Sequence, residues 1–169
     1  MCNFRSTFVQ NNQTQLFKMK KILFTLICAM VALVSNAQDL NSKGDNILGN
    51  YLSIKDGGKS KIKITKAADG TYTAQVYWVE RALDANGNKR KDVKNPDKGL
   101  RNVDIDKVVL VKSLKYDAKG KEWTDTKIYD PGSGKIYSVD IEFKDAKTLK
   151  VYGNILGIGK TVYWTRIEE

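Results

Sequence analysis

The chain has 169 residues, with 29 Lys and Arg against 19 Asp and Glu, two cysteines and no histidine. That length holds one domain of ordinary size and is short for two. The lack of histidine removes the commonest general base and the commonest transition-metal ligand, so imidazole-based catalysis and metal binding are excluded.

The first 37 residues do not read as part of a fold. Lys20 and Lys21 precede an apolar run over 22–34, and Ser35-Asn36-Ala37 supplies small residues three and one before the next peptide bond. Positive, apolar, small is the order of a Sec secretion signal, expected over 19–37 with cleavage after Ala37. Residues 1–18 are polar and aperiodic, which makes Met19 the expected true start. The apolar run is shorter than the roughly 20 residues that a membrane-spanning helix needs. The cleaved chain is therefore expected to be exported, periplasmic or extracellular, and not to span a membrane. Lipidation at Cys28 is not expected, because Ile27 is too large for the small position before it and the apolar run continues past it. Cys2 and Cys28 both leave with the signal, so no disulfide, thiol nucleophile or cysteine metal site is expected in the mature chain. Its 25 basic residues face 19 acidic ones, scattered singly. Without a clustered basic stripe and aromatic partners, nucleic acid is not an expected partner.

Beyond a polar leader at 38–46, short β patterns recur between turn signals. Gly49 to Ile54 is the first, closed by Asp56-Gly57-Gly58; Ser60, Ile62 and Ile64 then alternate with lysines. Thr71 to Glu80 sets Tyr72, Ala74, Val76 and Trp78 on one face. A polar stretch over 81–106 breaks the pattern, and loops of that length are commonly functional or mobile. Strands are predicted again at 107–116, 122–130, 135–144, 148–155 and 161–167. The pair 122–130 and 135–144 is joined by Pro131-Gly132-Ser133-Gly134. Eight strands at about ten-residue spacing, without a helix, predict an all-β domain over 47–169, an up-and-down antiparallel barrel or a sandwich. Eight strands make a barrel just wide enough to be filled by side chains or to hold one small ligand.

Several stretches resemble one family of small secreted bacterial proteins, the domain of unknown function 2147. They are Ile47-Leu48-Gly49-Asn50-Tyr51, Asn95-Pro96-Asp97 with Leu100-Arg101, and Ile128-Tyr129-Asp130-Pro131 with Ser133-Gly134-Lys135 and Tyr137. Leu149 to Gly153, leading to Trp164-Thr165-Arg166, completes the set. Tyr51 stands where the family usually has Trp, and Asn102-Val103-Asp104 replaces a more basic, Pro-containing continuation. The resemblance implies a single eight-stranded, lipocalin-like barrel. It also implies closure of one barrel end by Gly49, Tyr51, Trp164 and Arg166, with the guanidinium across the aromatic ring. It implies no activity.

Chemistry-bearing residues remain open to two readings. Asn95 and Asp97 build a turn around Pro96, or stand with Arg101 at the barrel mouth, where Arg101 meets a carboxylate or phosphate. Tyr129, Asp130 and Tyr137 flank a hairpin turn, or gather at one barrel end to bind a ligand. Trp78 is a candidate cavity aromatic. Asp130, Asp140 and Glu142 are the only basis for a carboxylate-dependent hydrolase; no catalytic residue, cofactor or metal site is assigned. The favoured expectation is a non-catalytic binding barrel for a small amphipathic or lipid-like ligand in the bacterial envelope. The alternative is an envelope interaction protein whose contact surface for a partner protein is the 81–106 loop.

Overall fold

Alternation of apolar and polar residues is the physical basis of every strand in this domain. In Gly58–Lys66, Ile62 and Ile64 are buried and the lysines between and after them face outward. The computed structural model describes residues 39–168; the secretion signal and early leader expected within 1–37 lie outside the described residues.

The strands are β1 (Gly49–Lys55), β2 (Gly58–Lys66), β3 (Tyr72–Val79), β4 (Val109–Asp117), β5 (Glu122–Asp130), β6 (Lys135–Phe143), β7 (Thr148–Ile155) and β8 (Ile158–Ile167). Each pairs antiparallel with its neighbour in sequence, and β1 pairs with β8 to close the barrel. Closure leaves no unpaired edge, which a sheet of this size otherwise exposes to association. The register Tyr51↔Arg166 and Ser53↔Trp164 across the closing seam brings the first and last strands' key residues side by side.

The two barrel ends differ. At one end lie the β2–β3, β4–β5 and β6–β7 turns. Residues 39–46, which the sequence presents as part of a polar leader, join Ile47 to cap this end as two 3-10 turns, Leu40–Ser42 and Gly44–Ile47. The Asn41 amide donates to the Phe143 carbonyl (3.0 Å) and accepts from the Phe143 N–H (2.7 Å). The Trp123 indole N–H donates to the Gly44 carbonyl (3.0 Å), the Tyr116 hydroxyl to the Asn41 carbonyl and the Tyr72 hydroxyl to Asp45. Ile47 is fully buried beneath this cap. Polar side chains here are engaged by backbone groups and by side chains of the barrel, so the segment is polar in composition yet fixed in place.

The other end carries the β1–β2, β5–β6 and β7–β8 turns and the long β3–β4 connection. That connection is more ordered than its composition implies. Leu83 bridges Lys89, Lys91 bridges Asp104, and 3-10 turns occur at Lys98–Leu100 and Ile105–Lys107. It is riveted to the barrel through Asp92, only 2% exposed, which accepts from the Asn95 amide and from the Tyr129 hydroxyl (2.7 Å each).

Facing departs from simple alternation in β3, as it also does in β4 around Ser113 and in β5 around Asp125. Tyr72, Ala74 and Val76 point inward as expected, but Trp78 is exposed and Val79 turns toward the interior. Lys61 pairs Trp78 while the adjacent Ile62 pairs Val76, a bulge that leaves Tyr77 as an extra residue. One inserted residue inverts the facing of everything beyond it. Trp78 therefore lies on the outside, with the Lys61 ammonium 5.5 Å from its ring centroid, and does not line the interior.

Candidate functional site

Below the middle of the barrel the interior is solid. Trp123 stacks edge-on to Phe143 (5.9 Å) and tilted against Tyr116 (5.2 Å), and Ile47, Leu114, Ile141 and Leu149 fill the space around them. Arg166 locks this end. Its guanidinium donates to the Leu48 carbonyl (2.9 Å), the Asn46 carbonyl and the Tyr51 hydroxyl (2.7 Å), and lies 5.1 Å from the Tyr51 ring centroid and 5.4 Å from that of Phe143. The Tyr51 hydroxyl in turn donates to the Ile47 carbonyl. Burial pushes the Tyr51 phenol up to about 12 although Arg166 opposes the shift. Gly49 is required by its φ of 142° and because a Cβ would stand 3.1 Å from the Arg166 guanidinium. Tyr51 thus takes the place the resemblance gives to Trp, its hydroxyl adding a hydrogen bond that an indole ring could not accept.

Above Trp164 the packing stops and a cavity of about 380 Å³ begins. Its floor and walls are Trp164, Ile62, Val76, Leu110, Val151 and Val162, with Ile128, Val79 and Tyr137 higher up. Gly153 helps make the room: its missing side chain leaves space beside Tyr137 and Ile128. The volume falls within the range of small-molecule sites, which are mostly apolar with a few placed polar groups.

The mouth is charged. Inward-facing alternation carries β1 from Ser53 to Lys55 and β8 from Trp164 through Val162 to Lys160, so both lysines end on the rim. Lys55 pairs with Asp130 at 2.6 Å, Lys59 with Glu80 at 3.4 Å and Lys160 with Asp56 at 3.8 Å. Arg81 and Arg90 complete the rim from the β3–β4 connection. Burial alone would raise the Asp130 carboxyl, but hydrogen bonds from Lys55 and Ser133 outweigh it and hold the group below the usual carboxylate range. Burial and then the Asp92 carboxylate raise the Tyr129 phenol above its ordinary value.

The residues singled out in the sequence divide between places. Tyr129, Asp130 and Tyr137 line the upper cavity. Asn95, Asp97 and Arg101 do not. The Asp97 carboxylate accepts from the Gly99 N–H (2.8 Å), the Asn95 side-chain oxygen accepts from the Asp97 N–H (3.0 Å), and Arg101 Nε donates to the Asn95 carbonyl (2.8 Å). They build the turn around Pro96 and leave the mouth to other arginines. The carboxylates do not converge either. Asp130 is at the rim, whereas Asp140, receiving the Thr124 hydroxyl, and Glu142, paired with Lys150 at 2.7 Å, lie on the outer face of β6. Lys55 and Lys160 escaped notice although a signal exists: the inward parity of β1 and of β8, continued past the last apolar residue, ends on each of them. Arg81 faces inward only because of the bulge at Tyr77, and Arg90 lies on no strand, so neither had a signal of that kind.

A closed up-and-down barrel of eight antiparallel strands, sealed at one end and hollow toward the other, is a lipocalin-type barrel. The chain belongs to the family described as uncharacterized proteins conserved in bacteria (DUF2147), which it matches over residues 49–166. Among solved structures it is similar to protein HP1028 from the human pathogen Helicobacter pylori, described as belonging to the lipocalin family. The two are 26% identical with a TM-score of 0.57, over 73% of this chain and 84% of that one. No curated protein matches.

Proposed function

We propose that this chain is an exported, non-catalytic carrier whose barrel holds a small amphipathic or lipid-like ligand, apolar part inward and polar part at the mouth. The observation that carries the reading is the cavity itself: about 380 Å³, walled by Ile62, Val76, Val151 and Val162 and floored by Trp164, beneath a polar rim. At the roughly 30 Å³ a water occupies in the liquid, that space takes about a dozen non-hydrogen atoms. Each methylene buried there contributes about 0.8 kcal/mol. Likeness to a lipocalin-family protein supports ligand binding without naming the ligand.

Organic extraction of the purified protein followed by mass spectrometry is expected to release an amphiphile. Val151→Phe places a ring in the cavity and is expected to abolish binding of the neutral fluorophore N-phenyl-1-naphthylamine while leaving the melting curve cooperative. A folded V151F protein that binds the fluorophore as the natural protein does would remove the cavity as the site. Export rests on the residue order of 19–37. Cell fractionation with N-terminal sequencing is expected to find Gln38 as the first residue outside the cytoplasm; an intact signal segment on cytoplasmic protein would refute it.

The interaction-protein alternative has less behind it. The 81–106 connection contributes Arg81, Arg90 and Ile105 to the cavity and buries Asp92 against β5, so its length is explained within the barrel.

A further inference from the structure

Five cationic side chains ring the cavity mouth, and they are not equivalent. Lys55, Lys59 and Lys160 each face a carboxylate within 4 Å, of Asp130, Glu80 and Asp56 in turn. Arg81 and Arg90 have no carboxylate within that distance among the described residues; each spends a donor on a backbone carbonyl instead. Arg81 donates to the Gly57 carbonyl (3.2 Å) and Arg90 to the Arg81 carbonyl (2.9 Å). Those bonds link the two arginines to one another and to the β1–β2 turn, so both guanidiniums are held at the same side of the opening. Their backbones are fixed as well. The Glu80 N–H donates to the Lys59 carbonyl, the Arg90 N–H to the Ala82 carbonyl, and the Arg90 carbonyl accepts from Ile105, all at 2.9 Å.

A guanidinium carries five N–H donors in a planar fork matched to a carboxylate or phosphate. With one donor engaged on the backbone, each arginine keeps the capacity for a two-point contact. Resting on the carrier reading, we infer that Arg81 and Arg90 form an oxyanion clamp. The natural ligand is then a single-chain amphiphile with an anionic carboxylate or phosphate head and an apolar tail of roughly ten to twelve atoms, set by the cavity volume at about 30 Å³ per atom. The head sits between the arginines at the rim and the tail descends past Val79 and Val76 toward Trp164.

The test is titration calorimetry of the purified protein with dodecanoate, dodecyl phosphate and dodecanol below their aggregation concentrations. At least one anion is expected to bind ten-fold or more tightly than dodecanol, with an affinity that falls as salt rises. The double variant Arg81→Gln/Arg90→Gln is expected to lose ten- to hundred-fold in anion affinity and to keep its dodecanol affinity, which also reports that it is folded. The double Lys variant keeps charge without the fork and is expected to fall between the two. Whichever anion binds better identifies the head group, and either result supports the clamp. Equal affinity for anions and dodecanol, or Gln variants that bind the anions as the natural protein does, would overturn the clamp and leave the cavity reading standing. No binding of any of the three would overturn both.

Discussion

Arg166→Ala should remove the keystone of the sealed end without touching the cavity. The guanidinium satisfies the Asn46 and Leu48 carbonyls and the Tyr51 hydroxyl, and faces the Tyr51 and Phe143 rings at 5.1 and 5.4 Å. Hydrogen bonds involving a charged group contribute about 1.5–3 kcal/mol each, an acceptor stranded in a part-buried site costs about 1–3 kcal/mol, and a guanidinium over an aromatic face adds about 0.5–2 kcal/mol. These terms share one side chain and are not additive, so about 3–5 kcal/mol is expected, a large fraction of the 5–15 kcal/mol typical of a domain. For a domain of this size that lowers Tm by roughly 10–20 °C. Urea unfolding followed by tryptophan fluorescence is a direct assay, because Trp123 and Trp164 are both buried in the core. The midpoint should drop with the urea dependence unchanged. Arg166→Lys should recover less than half of the loss, since one ammonium cannot span both carbonyls and the phenol. A loss below about 1 kcal/mol for R166A would refute the idea that this residue holds the N-terminal cap on the barrel.

Three further outcomes are expected. Gly134→Ala should destabilise by about 2 kcal/mol or more: φ there is 76°, and a Cβ would lie 2.6 Å from the Lys94 carbonyl oxygen, where the hairpin meets the long connection; an unchanged melting temperature would contradict this. Asp92→Ala leaves the Tyr129 hydroxyl and the Asn95 amide without their shared acceptor and should cost about 2–4 kcal/mol, with faster amide exchange over 90–105 as the readout. Burial first, then the Asp140 and Glu142 carboxylates, raises the Glu122 carboxyl above its unfolded value of 4.5. An acid whose folded pKa is raised adds nothing to stability below 4.5 and opposes folding above its folded pKa. Glu122→Gln should therefore raise Tm at pH 7 and leave it unchanged at pH 3, and equal effects at both pH values would show that charge is not the cause.

Much of this architecture was legible because a strand's side-chain period is fixed at two. The runs in β2, β6 and β7 name their inward residues without help, and the turn residues Asp56-Gly57 and Pro131 to Gly134 mark where the chain reverses. Gly49, Tyr51 and Arg166 were readable as a closing group through family resemblance, since nothing local joins residues more than a hundred positions apart. Trp78 shows where the period misleads: a single bulged residue at Tyr77 turned it outward, and no feature of the strand itself announces that insertion.

By itself, then, the sequence determined the strand number, the antiparallel all-β class, and which faces are apolar where no bulge intervenes, because these follow from periodicity and turn chemistry along neighbouring residues. Only the tertiary structure decided that the interior is solid around Trp123 and hollow above Trp164, that residues 39–47 cap one end, and that Arg81 and Arg90 meet at the other end. Whether inward side chains touch or leave room depends on their summed volumes across eight strands, and on which loops fold over which end. Both are properties of distant residues brought together, which a pattern read along the chain does not contain.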